Sequence, residues 1–159
     1  MDITNMVRQG KTRESSKNAI LYILKALRSN DDNGRKKIMK LMFLVDYFDT
    51  QKNRITLAKT IGNTFFIYNY GVFSSDVMKD LSDLIKSGKL IESEHNLKVK
   101  AGTEIIIDGE IKSKLDEVIK KYGKRSPRDL EDFTLSLVKL DRKSKYEYMG
   151  VNIEAFTVG

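Results

Sequence analysis

No cysteine occurs anywhere in the 159 residues. That removes a disulfide framework, a thiolate nucleophile and every zinc site built on cysteine. The single histidine, His95, excludes the usual remaining zinc ligand sets and a Cys–His pair. No apolar run approaches the roughly 20 residues a membrane helix needs, LMFLV at 41–45 being among the longest. The start, MDITNMVRQG, is polar and lacks an apolar signal core, so a cytoplasmic protein without a membrane segment is expected. Neither a Walker-type nor a dinucleotide glycine pattern is present.

What is there is a charge-rich globular composition, 40% hydrophobic and 32% charged. The length suits one domain, which buries roughly 68–70% of the surface of its unfolded chain. Basic residues exceed acidic ones by 29 to 22, a net charge of +7 that draws a protein toward polyanions.

Along the chain, residues 1–14 read as a flexible basic N-terminal arm or a frayed helix start, with Arg8, Lys11 and Arg13. Ser15 or Ser16 can cap a helix whose apolar stripe is Ala19, Ile20, Ile23, Leu24 and Leu27. SNDDNG at 29–34 stops it, with Gly34 able to take left-handed geometry. A second helix, about Arg35 to Phe48, is basic at its start and apolar on most of its circumference afterwards, which predicts burial. Its basic first turn opposes the helix dipole unless an anion or a carboxylate sits there.

Residues 54–70 carry strand-type residues on both faces and predict a doubly covered strand, with Gly62-Asn63 as a hairpin turn. Gly71 then lets the chain leave the aromatic run, Ser74 or Ser75 caps a helix over 75–87, and Gly88 ends it. KLIESEHNLKVKAGTEIIIDG follows as strand, loop, strand, turn at Ala101-Gly102, strand. A fourth helical stripe runs from Ile111 to Tyr122, and Ser126-Pro127-Arg128-Asp129 opens a fifth helix. The tail 141–159 holds strand-type residues suited to an edge strand.

Candidate chemistry is sparse. Asp46 and Asp49, three apart on a helix, are a candidate Mg²⁺ pair, although surface charge is the commoner role of such a pair. Asp31-Asp32-Asn33-Gly34 lacks the spacing and the bidentate glutamate of a calcium loop. His95 falls in a polar loop. The expectation is a non-enzyme with no catalytic residue, no cofactor and no metal ligand.

Helix 75–87 followed by a β-hairpin has the order of a recognition helix and a wing. Ser75, Lys79 and Lys86 would lie on that helix, with Lys98 and Lys100 at the wing tip. The helix carries a net charge of −1, however, and a phosphate-binding surface should be basic. The positive excess lies in Arg35, Lys36 and Lys37 and in residues 112–128, including Lys120, Lys121, Lys124 and Arg125.

KIMKLMFLVDYF and FFIYNYGVFSSDVMKDLSDLIKSGKLIE resemble the SocA-like "Panacea" group and the related YwgA-like proteins. Lys40, Leu41, Tyr70, Gly71, Phe73 and Ser74 match the family pattern, and Val72 stands where it usually has proline. SPRDLEDFTLSLVKL is similar to the late helix of YwgA-like proteins. The resemblance implies a mainly helical, winged-helix-like domain without known catalytic residues, in a family of antitoxin, adaptor or regulatory proteins.

The expectation is therefore an α+β fold over 15–140, mainly helical, with a small antiparallel wing. Its function would be that of a non-enzymatic regulator binding nucleic acid with modest specificity. The alternative is a protein-interaction module of antitoxin or adaptor type with a protein partner such as a toxin; a homodimer is left open.

Overall fold

Every residue from Lys37 to Tyr47 is buried, and the remaining helices gather around this stretch. The computed structural model describes residues 3–27 and 32–156. Its elements are α1 (Ile3–Ala26), α2 (Arg35–Tyr47), β1 (Phe48–Asp49), β2 (Arg54–Ile55), β3 (Phe66–Tyr68), β4 (Gly71–Phe73), α3 (Ser75–Lys86), β5 (Leu90–Ser93), β6 (Asn96–Val99), α4 (Gly109–Tyr122) and α5 (Pro127–Leu137). Short 3₁₀ turns follow at Ser144–Tyr148 and Ile153–Phe156. The fold is α+β, with three two-stranded antiparallel hairpins: β1–β2, β3–β4 and β5–β6.

The core forms because α2 is apolar nearly all round: Ile38, Leu41, Met42, Phe43, Leu44 and Val45 are wholly enclosed. Burying one such side chain contributes about 1.5–3 kcal/mol. Phe43 stacks with Tyr47 at 5.4 Å between centroids, and both meet Phe65 edge-on. A second aromatic group, Phe48, Tyr122 and Phe133, joins β1 to α4 and α5. No helix among the described residues is long and apolar enough to cross a membrane.

Local signals placed both ends of α3 and the start of α5. Ser74 accepts from the Val77 N–H at 3.3 Å and caps α3, and Ser126 does the same for Asp129 at 3.1 Å on α5. At the end of α3, Gly88 N–H reaches the Ile85 carbonyl and Lys89 N–H the Leu84 carbonyl, a Schellman closure.

Several expectations are corrected. Of the two readings of residues 1–14, an arm or a helix start, the helix start holds from Ile3 onward: these residues are the first turns of α1, anchored where Arg13 pairs with Asp80 at 2.6 Å. Ser16 is buried mid-helix and accepts from the Asn63 side chain, so neither it nor Ser15 is a cap. In the 29–34 turn, residues 29–31 lie outside those described. Gly34 has φ −90, not left-handed; glycine is needed because the His95 carbonyl oxygen stands where a Cβ would be.

Gly62-Asn63 is no hairpin turn. The Asp46 carboxylate accepts the N–H groups of Ile61, Gly62 and Asn63 at 2.6, 3.0 and 2.8 Å, so this backbone is committed to a side chain. Residues 54–70 are therefore two short strands in different hairpins. Phe65 and Ile67 are buried in the core and Ile55 and Ile61 pack against it, while Tyr68 and Tyr70 are exposed.

Gly71 sits inside a hairpin rather than leaving a strand. It pairs with Tyr68 across the two-residue turn Asn69-Tyr70 and has φ +95, the left-handed residue that follows an ordinary-handed turn. The wing turn is Glu94-His95, with Glu94 at φ 54; Ala101-Gly102 lies past the hairpin, and 103–107 forms no paired strand. The tail runs beside β3 through the bridge of Phe66 with Asn152, where Gly150 N–H donates to the Ile67 carbonyl, Ile67 N–H to the Val151 carbonyl and Ile153 N–H to the Phe65 carbonyl. Among the described residues the edge strand is confined to this short pairing, flanked by 3₁₀ turns.

Candidate nucleic-acid interface

Four helix ends meet at one pole. Tyr22 bonds Asp116, and the Leu27 side chain lies 3.1 Å from where a Gly123 Cβ would be, so α1 and α4 run parallel and end together. Lys36 pairs with Glu131 at 2.7 Å and Pro127 flanks the start of α2, so α2 and α5 begin together at this pole. The positive dipole ends of α2 and α5 are thus side by side.

Around the α4–α5 turn, Lys120, Lys121, Lys124, Arg125 and Arg128 are all exposed. Among the described residues Lys120, Lys124 and Arg128 form no ion pair, and Lys121 is 3.9 Å from Glu117. The Arg125 guanidinium lies over the Tyr122 and Phe133 rings at 4.8 and 5.0 Å, which holds a cation at the surface by stacking. Exposed Lys25 closes the pole from the end of α1.

At the α2 start, a cleft of about 310 Å³ is bordered by cations and carboxylates alike, Arg35, Lys36 and Lys37 with Asp32, Glu92 and Glu94, and by Gly34, His95 and Pro127. Arg35 makes a two-armed pair with Glu92 at 2.7 and 2.9 Å, which raises the guanidinium pKa and holds the Glu92 carboxyl below its usual range. Lys36 is half-buried, bound to Glu131 and set 5.1 Å over the Tyr70 ring. Lys37 is 1% exposed, so its expected phosphate contact is corrected: packing around α2 covers it. The dipole conflict in this turn is answered by carboxylates of other elements, Glu92 and Glu131.

The helix–wing residues are dispersed. Ser75, Lys79 and Lys86 are exposed on α3, beside Asp76 and Asp83. Lys98 shares a cleft with Lys25, and Lys100 lies at the hairpin base, its N–H bonded to the Lys89 carbonyl. Neither is at the tip, which corrects their expected place. The tip itself is bound to the body: Leu97 N–H donates to the Asn33 carbonyl and Asn33 N–H to the Asn96 side chain, both at 3.0 Å.

Asp46 and Asp49 do not form a cation pair. Asp46 is buried on the loop N–H groups, and Asp49, in β1, accepts from the N–H groups of Gln51 and Lys52. Among the described residues no cluster of three or more His, Asp or Glu could hold a metal ion. His95 is exposed at the hairpin tip.

A buried charge cluster escaped sequence reasoning. Glu131, 2% exposed, receives Lys36 at 2.7 Å and Lys145 at 2.9 Å, while Lys40 Nζ donates to the Val72 carbonyl at 2.8 Å. Burial alone would raise the Glu131 pKa, but bonds from Lys145 and Lys36 outweigh it and hold the carboxyl below its usual range. Burial lowers Lys40 to about 7. The cluster unites α2, α5, β4 and the tail. Lys25 and Arg128 were likewise missing from the expected contact set; a basic last turn on α1 and the run to 128 were the available signals.

Comparison with family models, curated proteins and solved structures finds no match for this chain.

Proposed function

We propose that the protein is a non-enzymatic regulator that binds nucleic acid with modest specificity, through the basic pole rather than through α3. The observation that carries this reading is the exposed set Lys120, Lys124, Arg125 and Arg128 on the α4–α5 turn, with Lys25 beside it. Flexible lysines near a helix end, with an arginine stacked on rings, suit phosphate contacts and leave bases unread. The succession of α3 and the β5–β6 hairpin supports a winged-helix kinship of the SocA-like and YwgA-like kind. The net charge of α3 and the fastened hairpin tip argue against base reading by that route.

The test is a titration of labelled duplex DNA between about 50 and 200 mM salt. If the four cations each neutralise a phosphate, log K falls with log salt at a slope of roughly −3 to −4. Lys124→Gln with Arg128→Gln should flatten that slope by about 2, and Lys79→Gln with Lys86→Gln should leave it unchanged. No affinity at the lowest salt, or a slope moved only by the α3 pair, would defeat the reading.

One observation favours a second reading, a protein-interaction module of antitoxin or adaptor type. Tyr68 and Tyr70 are 46% and 66% exposed on the β3–β4 hairpin, and Tyr146 of the tail is 63% exposed. Tyrosines of this kind are enriched in interface anchors. A stoichiometric partner retained at high salt, and lost with Tyr68→Ser and Tyr70→Ser, would establish it.

A further inference from the structure

Between α2, α3 and the β3–β4 hairpin lies a slot of about 250 Å³, bordered by Arg35, Lys36, Met39, Lys40, Tyr70, Phe73 and Met78. It is just below the roughly 300–1,000 Å³ of sites for drug-sized ligands, so an occupant must be small. Its walls are two thioethers and two aromatic rings, surfaces that adapt to and attract a flat aromatic body. Both methionines are held in place: Met39 Sδ accepts from Ser74 N–H at 3.3 Å and Met78 Sδ from Arg35 at 3.2 Å.

The charges beside the slot do not balance. Lys36, Lys40 and Lys145 surround one carboxylate, Glu131, which is already bonded to Lys36 and Lys145. Arg35 is matched by Glu92. Lys40 is left with a neutral acceptor, the Val72 carbonyl, for an amine that is 2% exposed. A buried ammonium with one neutral acceptor is costly. With all three lysines protonated, the cluster carries two more positive charges than negative ones.

We propose that this slot binds a small aromatic monocarboxylate, its ring among Met39, Phe73, Met78 and Tyr70 and its carboxylate at the Lys36–Lys40 pair. The apolar walls select against a multiply charged phosphate, and the charge deficit selects against a neutral ring. The site is independent of nucleic-acid binding, and its test contains no nucleic acid.

The groups that face Lys40 are Lys36 on its own helix, Glu131 from α5, Lys145 from the tail and the Val72 carbonyl from β4. A carboxylate ligand favours protonated Lys40. Affinity is therefore full below the free-state value of about 7 and falls as pH rises through it.

The experiment is calorimetric titration of the whole chain with naphthoate, which stays ionised across the range, at about pH 6 and about pH 9. Saturable one-to-one binding is expected, weaker by about tenfold or more at the higher pH, with naphthamide weaker than naphthoate by a similar factor. Met78→Trp, at a half-buried position, should fill the slot and abolish binding, and Lys40→Met should weaken it and remove the pH dependence. Absence of saturation at millimolar probe, equal binding of naphthamide, or undiminished binding by Met78→Trp would overturn the proposal.

Discussion

Replacing Gly71 by alanine separates two reasons for a glycine at one place. The backbone there has φ +95, and a Cβ would lie 3.2 Å from Glu131 Cγ and 3.5 Å from Leu135 Cγ. Holding an L-residue in left-handed backbone costs about 1–2 kcal/mol. Forcing a methyl against packed neighbours adds about 1–3 kcal/mol, because α5 is tied to α2 and the tail through Glu131 and cannot simply withdraw. The total, roughly 2–5 kcal/mol, is a large share of the ~5–15 kcal/mol by which domains are stable. At about 2–4 °C per kcal/mol, the midpoint should fall by roughly 4–20 °C. Gly102→Ala is the control: its φ is +82, and nothing lies within 4 Å of its Cβ. Urea unfolding of both variants should give a loss at Gly71 that exceeds the Gly102 loss by at least about 1 kcal/mol. Equal losses would refute the claim that α5 presses on the hairpin at Gly71.

Asp46→Ala removes the acceptor of three N–H groups in the 61–63 loop and should cost more than about 3 kcal/mol in urea unfolding, at about 1–3 kcal/mol for each buried donor left unpaired. Asp46→Asn keeps one acceptor oxygen and should lose less; equal losses would show that the carboxylate does not pin the loop. For Lys40, the folded pKa of about 7 lies below the ordinary lysine value, so between the two the unfolded chain binds more protons and stability rises with pH. Relative to wild type, Lys40→Met should gain most below about pH 7 and lose that advantage toward about pH 10, a swing of a few kcal/mol. A pH-independent difference between the two would show that Lys40 titrates normally.

Legibility followed the range of the interaction concerned. Ser74, Gly88 and Ser126 bond within five residues of themselves, so the ends of α3 and the start of α5 were open to inspection. α2 was also plain, because a helix without a polar side must be enclosed. The hairpins were less so. Strand composition marks residues 54–70 and 90–99 but does not say what pairs, and a distant carboxylate, Asp46, took the loop that looked like a turn. At the interface, the run 120–128 was visible as charge, while the burial of Lys37 and the fastening of Arg35 were not. Whether a lysine meets water depends on what other elements lay over it.

The order of residues alone determined where α3 starts and stops and where α5 starts, which helix is central, and that positive charge collects near 35–37 and 112–128. These depend on periodicity, caps and composition, which act within a turn or two. Only the tertiary structure decided that the starts of α2 and α5 and the ends of α1 and α4 form one pole. It likewise decided that the hairpin tip is fastened, and that Lys36, Lys40, Glu131 and Lys145 share one buried cluster. Each of those arrangements joins residues far apart in the chain, and the packing of the apolar helix faces brings them together.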